Sequence, residues 1–144
     1  MRTNALLESH LKSLRWPTFI ENYQTFAQDA TQQNLSFERY LLALAEQEVS
    51  QREINRQQLR IRQARFPIIK SLTDFDFSAI PQLNKQYILD LARGEYLHRI
   101  EPIILVGNPG LGKTHVATGL ALAACYQGCR VRFYNCQTTI RRTQ

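Results

Sequence analysis

The stretch Gly107-Asn108-Pro109-Gly110-Leu111-Gly112-Lys113-Thr114 matches G-x-x-x-x-G-K-[ST] in full, and no other feature constrains the fold of this chain as tightly. A loop that wraps phosphate groups with its own backbone excludes bulky side chains, and residues restricted to negative φ, where the glycines stand. Successive N–H groups from Gly110 to His115 then form an anion-binding concavity. A helix opening near Gly112 aims its partial positive end at the same phosphates. Lys113 can reach the β- and γ-phosphates, and the Thr114 hydroxyl can ligate Mg²⁺. The candidate binding residues are therefore Gly107, Asn108, Pro109, Gly110, Leu111, Gly112, Lys113, Thr114 and His115, with ATP or ADP and Mg²⁺ as the ligands. A chance match over a chain of 144 residues has a probability on the order of 1%. The competing reading is a glycine-rich turn with an incidental lysine.

The flanks supply the expected context. Ile103-Ile104-Leu105-Val106 is a continuously apolar, β-rich run, as in a strand buried on both faces. A helix is expected over 114–126, ended by Gly128, and Val131 and Phe133 read as a second strand. Strand, helix, strand at this spacing predicts a βαβ unit with a right-handed crossover. Upstream the chain reads as helix. Leu6, Leu7, Leu11 and Leu14 recur at a helical spacing until Trp16-Pro17 breaks the pattern. A second helix is expected over 18–29, a polar loop over 29–34, and a long helix over 37–64 with Ser36 as its N-cap. Pro67 ends that helix. Asn84 is expected to cap a short helix with Tyr87, Ile88 and Leu91 on its buried side. The predicted architecture is α/β: a helical region 1–66, a linker and short helix 67–99, and the first βαβ unit of a P-loop core over 100–144.

Between Gln51 and Lys70 stand six basic residues (Arg52, Arg56, Arg60, Arg62, Arg65 and Lys70) against Glu53 alone, most of the net charge of +6. Arg52, Arg56 and Arg60 fall at i, i+4 and i+8, a stripe along one helical face. The stripe Arg52, Arg56, Arg60, Arg62 and Arg65 could contact phosphates of double-stranded DNA. It could equally be a solvated face, or one that pairs with a partner's acids. From Thr114 to Gln144 there is no Asp or Glu. The carboxylates that hold Mg²⁺ and orient water in a P-loop ATPase are therefore missing from this stretch, and binding without turnover is the expectation. No run of 18 apolar residues and no secretory signal is legible. The three cysteines, Cys125, Cys129 and Cys136, read as reduced structural thiols of a cytoplasmic protein.

The string 107–115, with His115 directly after Lys113-Thr114, resembles the IstB-like ATP-binding proteins. These are AAA+ helper ATPases encoded beside transposases in insertion sequences, related to the DnaC helicase loaders. Leu35-Ser36-Phe37-Glu38, Arg52 with Asn55-Arg56, Ala64-Arg65-Phe66-Pro67, Leu72-Thr73-Asp74-Phe75-Asp76-Phe77 and Gln127-Gly128 are similar to the same family. The resemblance covers about residues 6–135 and only the N-terminal half of a family member. It implies a helical region that contacts the transposase, an AAA+ core with the Walker A loop at 107–114, ATP-dependent DNA binding and self-assembly. Walker B, sensor and arginine-finger residues have no counterpart here, so hydrolysis and ring assembly are not expected of these residues alone. The tail 136–144 is unlike the helix that follows in the family, which predicts truncation by a frameshift or early stop.

Several residues carry two readings. Trp16, Phe19, Tyr23 and Phe26 form either a partner-docking face or the core of the helical region. Phe75 and Phe77 either line an adenine pocket or anchor the linker. A second function class is a non-enzymatic helical adapter, in which 1–66 bind transposase or DNA and the loop is vestigial.

Overall fold

The computed structural model describes residues 2–136, and every regular element among them is helical. Helix α1 spans Arg2–Ser13, α2 Pro17–Gln32, α3 Phe37–Ala64, α4 Lys85–Leu91, α5 Glu95–His98 and α6 Lys113–Tyr126, with 3₁₀ turns at Leu72–Asp74 and Phe77–Ala79. Two compact units divide the chain, residues 1–56 and 57–144. Among the described residues no helix is long and apolar enough to cross a membrane. Residues 137–144, nearly all of the tail 136–144 read above as aberrant, lie outside the described residues.

In the first unit α1 ends through a left-handed Arg15 (φ 57°), whose N–H bonds Lys12 O while Trp16 N–H closes onto Leu11 O. This is the hydrogen-bond pattern that usually employs glycine. Pro17 then opens α2. That helix runs to Gln32, three residues past its expected end. Thr31 turns its hydroxyl onto Ala27 O within the helix, and the stop falls at Asn34 in the left-handed region (φ 56°). Leu11, Phe19, Tyr23 and Leu44 form the core, flanked by Trp16, Ile20, Phe26, Tyr40 and Ala45. The aromatic face of α2 is thus core.

The sequence did not announce Glu48. Its carboxylate is buried, and Oε2 accepts the Thr18 N–H at 3.0 Å, so a residue of α3 caps the start of α2. No side chain at the Trp16 cap position does this locally. Oε1 accepts Arg52 Nε at 2.8 Å, and Arg52 Nη2 donates to Arg15 O at 2.8 Å.

In the second unit Ile88, Val116 and Leu120 are the core, packed by Leu72, Phe75, Phe77, Leu83, Leu91, Ile103 and Leu105. Asn84 caps α4 as expected, accepting Tyr87 N–H at 3.1 Å. Tyr87 itself is exposed, contrary to expectation, because a two-turn helix buries only the narrow stripe through Ile88 and Leu91. Helix α6 ends at a left-handed Gly128 (φ 92°), the position read for it.

The predicted βαβ unit is overturned: among the described residues there is no strand and no sheet. A strand is stabilised by a neighbour's ladder, and these two segments do not supply one to each other. Ile103 and Leu105 turn onto the helical core, whereas Ile104 and Val106 are 80% and 90% exposed, so one face is covered and not two. The segment 131–134 bonds elsewhere: Phe133 N–H donates to Ala64 O at 2.8 Å and Arg132 Nη1 to Gln63 O at 3.1 Å. The orphan carbonyls at the C-terminus of α3 thereby capture the segment expected to pair with 103–106. The described fold is all-helical, not α/β.

Candidate functional site

The loop 107–112 leads directly into α6. Gly110 and Gly112 both have left-handed φ, 85° and 78°, and Gly112 is the N-cap residue. Lys113 folds back over the loop and donates from Nζ to Gly107 O and Asn108 O, each at 2.7 Å. An ammonium has three donors, so two are engaged by the loop's own carbonyls and one is left for an anion. The N–H groups of the first helical turn lack intrahelical partners by construction and add their partial positive charge at the same point. Thr114, at the second position of the helix, is exposed.

Two clefts border the loop. One, of 360 Å³, is lined among others by Ile80, Leu83, Leu105, Gly107, Asn108 and Lys113. The other, of 650 Å³, is lined by Ile69, Asp74, Phe75, Ile80, residues 110–112 and His115, with further neighbours. Phe75 both lines this second cleft and packs into the core, edge-on to Phe77 at 4.8 Å. Phe77 anchors the linker in the core, with the Lys85 ammonium 5.6 Å from its ring centroid.

Sequence reasoning undervalued residues 71–79, which fold as a strap against the start of α6. The Asp74 carboxylate accepts the Ser71 hydroxyl at 2.8 Å and the Ser71 N–H at 3.3 Å, which holds it below the ordinary aspartate range. Asp76 is lowered in the same way by the Ser78 hydroxyl and N–H. Ser71-x-x-Asp74 and Asp76-x-Ser78 were legible as side-chain-capped turns. Their destination on α6 was not.

The basic residues of α3 divide by use. Arg52 is tied to Glu48 and Arg15 as described, and Arg56 lies 3.7 Å from Glu53. Arg60 donates from Nε to Cys125 O at 3.0 Å. Arg62 and Arg65 are exposed, and Arg132 is brought beside them through its bond to Gln63 O. Cys125 is fully buried, and burial pushes its thiol upward in pKa, whereas Cys136 is exposed. Among the described residues no group of three or more His, Cys, Asp or Glu could hold a metal ion.

Comparison with known proteins extends the resemblance read from the motifs. A family model described as "IstB-like ATP binding protein" matches residues 9–144. A Pseudomonas aeruginosa protein, named for insertion sequence IS21 and for ATP binding, is 32% identical over 127 residues, 88% of this chain and 48% of that protein. A Sinorhizobium fredii protein similarly named for an insertion sequence and ATP binding is 33% identical over 93% of this chain and 45% of its own length. A Mycobacterium tuberculosis protein, again named for ATP binding in an insertion sequence, is 34% identical over 88% of this chain and 51% of its own length. The chain spans about half the length of these curated relatives.

Proposed function

The chain belongs to the family of IstB-like ATP-binding proteins, and from that premise we propose that residues 107–114 bind the phosphates of ATP or ADP in a helper protein of DNA transposition. The observation that carries this reading is Lys113, whose ammonium stands 2.7 Å from two loop carbonyls at the opening of a 14-residue helix. A polyphosphate is the ligand class that such a set of donors suits. Incoming phosphate oxygens replace the carbonyls as acceptors for Nζ, and the loop and first-turn N–H groups supply further donors. The Thr114 hydroxyl, exposed at the second position of the helix, is the group that would ligate a Mg²⁺ accompanying the phosphates and so help neutralise their charge. No carboxylate occurs after Glu101, so the acidic residues that hold Mg²⁺ and activate water in P-loop ATPases have no counterpart in the loop or beyond it among these 144 residues, and we expect binding without turnover from them.

The test is titration of a fluorescent ATP analogue, with and without Mg²⁺, into residues 1–144 and the Lys113→Ala variant. Saturable binding should weaken roughly 30-fold in the variant, the loss of about 2 kcal/mol expected for a charged hydrogen-bond donor. Equal binding by both proteins would remove the loop from the function. No binding to a folded protein would leave the helical-adapter reading, in which a transposase docks on the first unit; the exposed Phe37, Leu41, Leu42 and Val49 of α3 favour such a face.

Contact with double-stranded DNA is a second reading, and the gathering of Arg62, Arg65 and Arg132 at the end of α3 favours it. Each phosphate contact releases counterions, so log K against log salt should flatten by about 1.8 when Arg62 and Arg65 are both replaced by alanine. Fluorescence anisotropy on a labelled duplex between low and physiological salt measures the slope. An unchanged slope excludes these two arginines as phosphate contacts.

A further inference from the structure

We propose that His115 is a positioning residue that seats the strap 71–79 on α6 and thereby holds the phosphate loop in its binding shape, an inference that rests on the nucleotide-binding reading above. Three contacts run along one face of α6 and its N-cap, at positions 112, 115 and 119, a spacing that stacks residues one above another on a helix. At Gly112 the Phe75 ring lies so close that an added Cβ would stand 2.6 Å from Phe75 Cε2. At Gly119 an added Cβ would stand 2.7 Å from Leu72 Cδ2 and 3.1 Å from the Leu72 backbone nitrogen. Between these two bare positions His115 makes a directed tie, with Nε2 2.8 Å from Ser71 O. A carbonyl only accepts, so Nε2 carries the proton. The imidazole is held a second time, edge-on to the Phe75 ring at 5.1 Å and 85°. Ser71 is itself immobilised, its N–H and hydroxyl both donating to Asp74.

The consequence concerns the loop. Phe75 packs against the Cα of Gly112, the residue whose left-handed φ turns the loop into the helix. With His115 in place, Phe75 is pinned between the imidazole and Gly112, and the turn has a wall behind it. Without the imidazole the strap keeps its own capped turns but loses its polar tie to α6, and the loop samples other shapes before binding. A binding-competent state populated only in part lowers apparent affinity by that fraction. Because the effect passes through the phosphate loop, it falls equally on ATP and on bare inorganic triphosphate.

The experiment measures affinity for both ligands, with inorganic triphosphate competing against the fluorescent ATP analogue, at a temperature where every variant is folded. His115→Ala should weaken both ligands by the same factor, about fivefold, as one neutral hydrogen bond is expected to. His115→Gln should restore affinity, because the glutamine Nε2 stands three bonds from Cβ like the imidazole Nε2. His115→Asn, whose amide reaches only the position of Nδ1, should not. A helix-stabilising role alone would lower the melting temperature of His115→Ala and leave both affinities unchanged. That result overturns the proposal, as does a loss confined to ATP, which would mark a contact to base or ribose. Equal rescue by Asn and Gln also overturns it. If His115→Ala does not fold, the Gln and Asn variants carry the same comparison. Absence of binding by the unaltered protein would instead overturn the nucleotide-binding reading, and this inference with it.

Discussion

Replacing Glu48 with alanine should destabilise the first unit by about 2–4 kcal/mol, because the substitution strands a buried donor and an arginine at once. Thr18, whose N–H loses its acceptor, is only 6% exposed, so the donor is left poorly solvated. Arg52 loses its ion pair but remains partly solvated, with 45% of its side chain exposed, so its share of the loss is small. Arg52→Ala leaves the buried Glu48 carboxylate with the Thr18 N–H but without its counter-charge, and should cost about 1–2 kcal/mol, less than Glu48→Ala. Trp16, the chain's single tryptophan, stands two residues before Thr18 and reports the loss directly. Urea unfolding followed by its fluorescence should show a lower midpoint for both variants, with the larger shift for Glu48→Ala. Equal midpoints for Glu48→Ala and the parent protein would mean that the cap contributes nothing.

Gly112→Ala is expected to abolish measurable nucleotide binding, a loss of 100-fold or more, and to destabilise the second unit. Two independent penalties coincide there. A side chain at φ 78° is strained by about 1–3 kcal/mol. The added Cβ also lies 2.6 Å from Phe75 Cε2, so the ring must leave its seat on the loop. Gly110→Ala separates the two effects. Its φ of 85° carries the same strain, but nothing stands within 4 Å of the added Cβ. Thermal unfolding should therefore fall further for Gly112→Ala than for Gly110→Ala. Adding Phe75→Leu to Gly112→Ala should recover stability without recovering affinity. Equal unfolding temperatures for the two glycine variants would mean that the Phe75 contact carries no weight.

These two positions differ in how far they could be read in advance. Gly112 is legible because a turn of the pattern G-x-x-x-x-G-K-[ST] into a helix demands glycine for local backbone reasons, and the left-handed φ of 78° meets that demand whatever surrounds the loop. Its neighbour across space, Phe75, stands 37 residues away and was read only as a linker anchor or a pocket wall. Glu48 was not legible at all. It reads as one more acid on a charged helix, and only the approach of the α2 start, 30 residues earlier in the chain, turns it into a cap. The arginine stripe shows the opposite error of emphasis. Its spacing is real, but Arg52 and Arg60 are engaged by Arg15 O and Cys125 O, partners that spacing cannot reveal.

What the sequence determined by itself is what short-range physics controls. The helix over 37–64, the Asn84 cap, the Gly128 ending and the loop with Lys113 at the head of α6 follow from backbone preferences and side-chain reach within a few residues. What only the tertiary structure decided is pairing. The β-rich run 103–106 has strand composition, but a strand exists through a neighbour, and the segment expected to pair with it bonds the end of α3 instead. The same holds for the strap on α6, which required two glycines on one face, seven residues apart, to meet Phe75 and Leu72. Composition and periodicity state what each segment can do, and the hydrogen-bond partners that decide among those options lie tens of residues away.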